Sequence, residues 1–285
     1  MGRAKPFLEC RLPDGTSVFC LNRLETKYVH REVQGYLENG IHLDEGATVF
    51  DVGANIGLFT MTALEATGGT GRVFAFEPVP EIFEVLRANT GRMDPDRVRI
   101  FPFGLGREAE QVQFSYYPEA PAVSRRSPGV SEAERVEMVE SLCRKLDTLA
   151  KREDTPWYLK VLSRLPAPLQ EWLVARKISK AFNETPVECR LENISKVIAD
   201  ESVERIDLLK IDVEGAELDV LSGIAEADWR KIHQAVIEVH DVDGRLETVR
   251  DLLAHRGLTE VACNQFPLRW GSELFTLYAR RLGTS

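Results

Sequence analysis

Cysteine is scarce and unpatterned in this chain: Cys10, Cys20, Cys143, Cys189 and Cys263 are five in number and form no C-x-x-C pair. Such spacing excludes a disulfide framework and a zinc ribbon, and fits unpaired thiols in a reducing compartment. Basic charge is also short, with 36 Lys and Arg against 45 Asp and Glu and a net charge of −9. A duplex-binding protein needs a basic face to displace counterions, so no nucleic-acid partner is expected. No apolar run approaches bilayer-spanning length, and residues 1–5 begin no signal peptide. The expectation is a cytoplasmic protein with no membrane partner. The G-x-G-x-x-G fingerprint of dinucleotide folds is missing as well.

Where that fingerprint would stand, the chain reads Thr48-Val-Phe-Asp51-Val-Gly53-Ala-Asn55-Ile-Gly57. An apolar run of strand character ends in an acid and two glycines, and helical residues resume at Leu58. The glycines let backbone approach a ligand. A second apolar run, residues 72–76, ends in Glu77-Pro78, where a carboxylate can take both hydroxyls of a ribose. An acid at the first strand end repels phosphate and suits an ammonium or a sulfonium. S-adenosylmethionine carries both cations and no phosphate. Two alternatives stay open on these residues: an NAD-dependent oxidoreductase, and a nucleoside-binding protein that keeps the fold without catalysis.

With 285 residues, 44% hydrophobic and 28% charged, the chain can bury a substantial core. Residues 9–20 alternate about Pro13-Asp14-Gly15 and predict a hairpin, and residues 27–38 predict an approach helix. Strands over 48–52, 72–76 and 98–103 then alternate with helices over 58–66 and 81–89, which implies a parallel sheet. An extra strand is expected over 111–117. Residues 131–182 read as a helical insertion, opened by a capping box of Ser131 and Glu134, with Val136, Val139, Leu142, Leu146 and Leu149 on one face. Trp157 and Tyr158 begin a second helix and Leu169 and Trp172 mark a third. Strands over 206–211 and 234–239 and helices over 216–221 and 245–255 resume the alternation, and strands over 259–263 and 273–280 close it antiparallel. This predicts an α/β class I methyltransferase Rossmann-like fold: a seven-stranded, mostly parallel sheet with an antiparallel C-terminal hairpin and a helical insertion. The expected parts are residues 1–47, 48–120, an insertion or cap over 121–186, and 187–285.

Period two places Lys210, Asp212 and Glu214 on one face of a strand and aligns Glu238 with His240 on another. Central parallel strands are normally apolar on both faces, so these groups either form exposed ion pairs at strand ends or line a site. For methyl transfer to a hydroxyl, His240 is the natural base because imidazole titrates near neutrality, with Glu238 or Asp212 to orient it. The same three, Asp212, Glu238 and His240, are the ligands if a divalent metal takes part, although their spacing specifies no metal geometry. Tyr116, Tyr117 and Glu214 are expected at the acceptor pocket. Arg125, Arg126, Arg144, Lys145, Arg176, Lys177 and Lys180 form a basic excess in the insertion, which fits an acidic carrier protein or a solvated helix face equally.

Two signatures, Phe50-Asp-Val-Gly-Ala-Asn-Ile-Gly-Leu-Phe-Thr60 and Ile206-Asp-Leu-Leu-Lys-Ile-Asp-Val-Glu-Gly-Ala-Glu217, resemble the FkbM-type family of S-adenosylmethionine-dependent methyltransferases. Phe74-Ala-Phe-Glu-Pro, Phe114-Ser-Tyr-Tyr-Pro118 and the stretch from Glu238 to Glu247 are most similar to members that accompany polyketide synthases and nonribosomal peptide synthetases. The resemblance implies O-methylation of a hydroxyl or carboxyl on a polyketide, peptide or related secondary metabolite, or on a saccharide. By position it implies that Asp51, Gly53, Asn55 and Gly57 surround the methionine moiety and that Glu77 and Pro78 hold the ribose. Gly104 and Leu105 would then lie beside adenine, Asp212 and Glu214 at the transfer end, and Glu32 would help to close the site.

Overall fold

A computed structural model of the protein describes residues 7–151, 157–265 and 274–281. Residues 1–5 and Glu273, which begins the last expected strand, lie outside that range. The hairpin forms as β1 (Leu8–Arg11) and β2 (Ser17–Cys20). Helix α1 (Arg23–Gly35) starts four residues before its expected origin, because the side chain of Asn22 accepts from the backbone N–H groups of Leu24 and Glu25.

The core follows as β3 (Thr48–Val52), α2 (Leu58–Ala66), β4 (Arg72–Phe76), α3 (Pro80–Thr90) and β5 (Val98–Phe101). β5 was expected to reach residue 103, but Pro102 has no N–H for the ladder and Gly104–Leu105 becomes β6 in a different sheet. Beyond β7 (Glu110–Tyr116) and the short β8 (Arg125–Arg126) lie the insertion helices α4 (Glu132–Ala150), α5 (Trp157–Leu162) and α6 (Ala167–Ala181). β9 (Thr185–Glu192) and α7 (Ile194–Asp200) lead back to β10 (Leu208–Ile211), α8 (Glu217–Ser222), β11 (Gln234–His240), α9 (Arg245–His255), β12 (Glu260–Gln265) and β13 (Leu274–Arg280).

The main sheet has seven strands in the order β12-β13-β11-β10-β3-β4-β5. β5, β4, β3, β10 and β11 run parallel, and β13 runs antiparallel to both β11 and β12. The chain order changes direction between β3 and β10. A ligand crevice opens beyond the carboxyl ends of the strands at such a reversal, which is where both signatures end. β3 is buried along its whole length, as a strand covered by helices on both faces must be.

A second sheet, β6-β9-β7-β8, stands beside the first. It replaces the lone extra strand expected over 111–117, and β9 had no counterpart in the sequence reading. The insertion has its own small core, in which Val139, Leu146, Val174 and Ile178 pack with Tyr117 and Phe182. Val136, expected on the same inward face, is 50% exposed. The side chain of Leu149 lies outside the described residues. All five cysteines are unpaired.

Candidate functional site

At the end of β3 the chain turns through Gly53, whose φ of +76° is open to glycine and strained for other residues. A Cβ there would lie 1.8 Å from the Asp212 carbonyl oxygen, so the ends of β3 and β10 meet at this point only without a side chain. The N–H groups of Gly53 and Ala54 donate to the Phe76 carbonyl at 3.1 and 2.9 Å and bind the turn to β4. Glu77 follows at once, 5% exposed. Its Oε2 accepts from the Asn55 N–H at 3.0 Å and its Oε1 from the Val79 N–H at 2.9 Å. Burial pushes the carboxyl up to about 7, against the opposite pull of those two N–H groups. Gly53, Asn55, Glu77, Pro78, Gly104 and Leu105 all line one cleft with Tyr36, Asp212 and Glu214.

Asp51 and Gly57 do not line it. Asp51 is fully buried, receives the Thr60 hydroxyl at 2.6 Å, and lies 3.0 Å from the ammonium of Lys210, itself 3% exposed. Its charge is spent on an internal ion pair, which corrects the expectation that it faces a cation in the site. Gly57, with φ +90°, precedes α2, and a Cβ there would meet Leu86 Cδ1 at 2.7 Å. Its glycine serves helix packing. Burial presses the Lys210 pKa down, but Asp51 and then Asp212 overcome this and hold the ammonium above its ordinary range.

Tyr36, just beyond α1, was not singled out by the sequence. Its hydroxyl lies 2.5 Å from Glu238 Oε1 and 3.1 Å from Asp212 Oδ2, tying together the ends of β10 and β11. Asp212 and Glu238 were expected to orient His240 and instead meet at Tyr36. The phenol is 176 residues from Asp212, and no spacing signals a contact at that separation.

His240 is held by two other carboxylates. Its Nε2 is 3.1 Å from Glu214 and its Nδ1 3.0 Å from Glu217, which is fully buried. Glu217 also pairs with Arg245 at 3.1 Å and accepts the Gly215 N–H at 2.8 Å. Burial lowers the imidazole pKa, but the two carboxylates outweigh that and hold it at about 10. The ring is therefore an imidazolium at neutral pH, with no lone pair to take a proton. This overturns the premise that made His240 the base. Glu217 was present in the sequence as the last residue of the second signature, and its helical position concealed the contact.

A larger cavity of about 1920 Å³ lies under the insertion, walled by α4, α5 and α6 and floored by His240 and Asp241. It shares Arg126, Glu214, Ala216 and Asp219 with the first cleft, so these residues mark the passage between the two. Tyr116 and Tyr117 line neither space. Tyr116 is 5% exposed in the core, and burial raises its phenol to about 12. Tyr117 receives the Val130 N–H at 2.7 Å and stands edge-on to Phe182. Both are packing residues, a correction to their expected place at the acceptor. Glu32 is 4% exposed on α1 and also lines neither cavity. Among the described residues no three His, Cys, Asp or Glu side chains converge as metal ligands, so Asp212, Glu238 and His240 do not form the conditional metal site.

The model of the Methyltransferase FkbM domain matches residues 51–258. The 31-O-demethyl-FK506 methyltransferase FkbM of Streptomyces tacrolimicus is 39% identical over 277 residues, covering 95% of this chain and 96% of that protein. The AMB antimetabolite synthetase AmbE of Pseudomonas aeruginosa is 36% identical over 285 residues, covering 97% of this chain but only 13% of that synthetase. Among solved structures, the Methyltransferase FkbM of Methylobacillus flagellatus matches with 16% identity and a TM-score of 0.47, over 84% of this chain and 45% of that one.

Proposed function

Since the chain belongs to the FkbM methyltransferase family and is an S-adenosylmethionine-dependent enzyme, we propose that it O-methylates a hydroxyl or carboxyl of an apolar secondary metabolite held under the insertion. The observation that carries this reading is the passage at Glu214, where the narrow cleft and the wide cavity meet. Bound S-adenosylmethionine supplies an electrophilic methyl on a sulfonium. The residues of the cleft suit it. Glu77 would offer its buried carboxyl to the ribose hydroxyls, Pro78, Gly104 and Leu105 would wall the base, and Asp212, 4.0 Å from a Lys210 ammonium that pairs more closely with Asp51, would favour a cationic methionine end.

On the acceptor side, Glu214 takes the hydroxyl proton. A carboxylate suffices as base, because the hydroxyl becomes strongly acidic only as its oxygen gains the methyl. His240 Nε2, 3.1 Å from Glu214, holds that carboxylate in place, and Glu217 with Arg245 fixes the ring. The remaining work is alignment. Apolar side chains such as Val130, Met138, Leu142, Leu162 and Phe182 line the cavity, which favours a polyketide or peptide over a saccharide. The volume exceeds the roughly 300–1,000 Å³ of common small-molecule sites.

The test uses radiolabelled methyl donor with 31-O-demethyl-FK506 and a panel of hydroxylated macrolides and peptides as acceptors. A base-stable ether or a base-labile ester product distinguishes hydroxyl from carboxyl. Glu214→Gln should lower turnover about 10²- to 10⁴-fold while S-adenosylhomocysteine affinity stays unchanged. Wild-type rates in the variant would remove Glu214 from its role. Donor binding with no product from any acceptor would instead favour a non-catalytic protein.

Carrier tethering is a second reading, motivated by the likeness to part of a synthetase. Within the basic excess, however, Arg125, Arg126, Arg144 and Lys180 are already answered by Glu134, Glu110, Glu140 and Glu119. Equal rates with free and carrier-bound acceptor would dismiss it.

A further inference from the structure

The helices α5 and α6 each turn one face into the cavity and another away from it. Tyr158, Leu159 and Leu162 of the first and Leu173 and Val174 of the second line the cavity wall. The opposite faces carry Trp157, Val161, Leu169 and Trp172, which are 76%, 48%, 42% and 55% exposed and line nothing. These are four of the eight large apolar side chains exposed among the described residues, and they include both exposed tryptophans. Between residues 157 and 181 stand five basic residues and one acid, in a chain whose net charge is −9; Arg176, Lys177 and Lys180 border the cavity, and Lys160 and Arg164 do not. The guanidinium of Arg176 lies over the Trp172 ring at 5.6 Å.

We propose that the outer face of α5 and α6 docks on an anionic lipid surface. Indoles partition to the headgroup level, and Lys and Arg beside them pair with lipid phosphates. The charge asymmetry sets the orientation, because the acidic body is repelled by the surface that draws in Lys160 and Arg164. The sequence expectation of no membrane partner rested on the want of a spanning segment, and contact at a surface needs none. Docking there would put the membrane on one side of the two helices and the acceptor cavity on the other, a short route for an apolar acceptor dissolved in the bilayer.

The full chain should sediment with vesicles of phosphatidylcholine mixed with phosphatidylglycerol at low salt, with a blue shift of tryptophan fluorescence. It should release at high salt and ignore phosphatidylcholine alone. Lys160→Glu with Arg164→Glu should weaken binding at least about tenfold, since each basic residue near an anionic surface contributes about fivefold. Trp157→Phe with Trp172→Phe should remove most of the blue shift. None of these four residues lines either cavity, so activity on a soluble acceptor stays at wild-type level and a failure here leaves the methyltransferase reading untouched. Absence of vesicle binding, including absence because a second copy or an acidic carrier protein covers the face, overturns the proposal. So does binding that both double variants retain.

Discussion

Glu77 is the residue whose chemistry depends most on what occupies the cleft. Its carboxyl sits at about 7 because burial outweighs two backbone hydrogen bonds. Ribose hydroxyls donate most strongly to the ionised form, so donor binding should draw the proton off. The sign follows: affinity for S-adenosylhomocysteine is full above neutrality and weakens as pH falls through 7, approaching about tenfold per pH unit in the limit. Calorimetry across that range reads it directly. Glu77→Gln should bind more weakly at high pH and lose the pH dependence, and a flat wild-type profile would separate Glu77 from the ribose. The sequence made Glu77 legible because its signal is local, an acid directly after an apolar run. It misplaced Asp51 for a related reason. Local spacing cannot show that a lysine from β10, 159 residues later in the chain, will neutralise it.

At the level of elements, what the sequence revealed was whatever carries its own period and its own stops. β3, α2 and β4 run between the residues expected for them, since glycines and apolar runs bound each one. The capping box of α4 formed as read: the Ser131 hydroxyl accepts the Glu134 N–H at 3.2 Å, and Glu134 accepts the Ser131 N–H at 2.7 Å. Ser131→Ala should therefore cost about 1 kcal/mol, measurable as a lowered urea midpoint, and a neutral effect would mean that α4 is held by packing alone. β9 was not among the expected strands although Val187, Cys189 and Leu191 alternate with Glu188, Arg190 and Glu192 as a half-buried strand should, because its partner β7 lies far earlier in the chain, across the whole helical insertion. The contacts of His240 escaped because period two on β11 pointed to Glu238, whereas its carboxylates arrive from a loop and from α8.

Over the whole molecule, His240 links the site to stability. Its folded value of about 10 stands above an unfolded 6.5, so the charged ring stabilises the fold. That contribution is complete below pH 6.5 and is lost progressively as pH rises to about 10. Melting temperature should fall across this window, and Glu217→Gln should flatten the slope; a wild-type slope in the variant would show that other groups set it.

The position of β13 between β11 and β12 adds a constraint in time. A ribosome makes β12 before the strand that joins it to the sheet, so a nascent chain stalled short of residue 274 leaves Val236 and Ile237 of β11 beside an empty lane. Such an intermediate would present an unpaired apolar edge to its neighbours on the polysome. Limited proteolysis of stalled chains should find β11 protected only after residues 274–280 have been added, and expression should depend on chaperones that hold the edge until then.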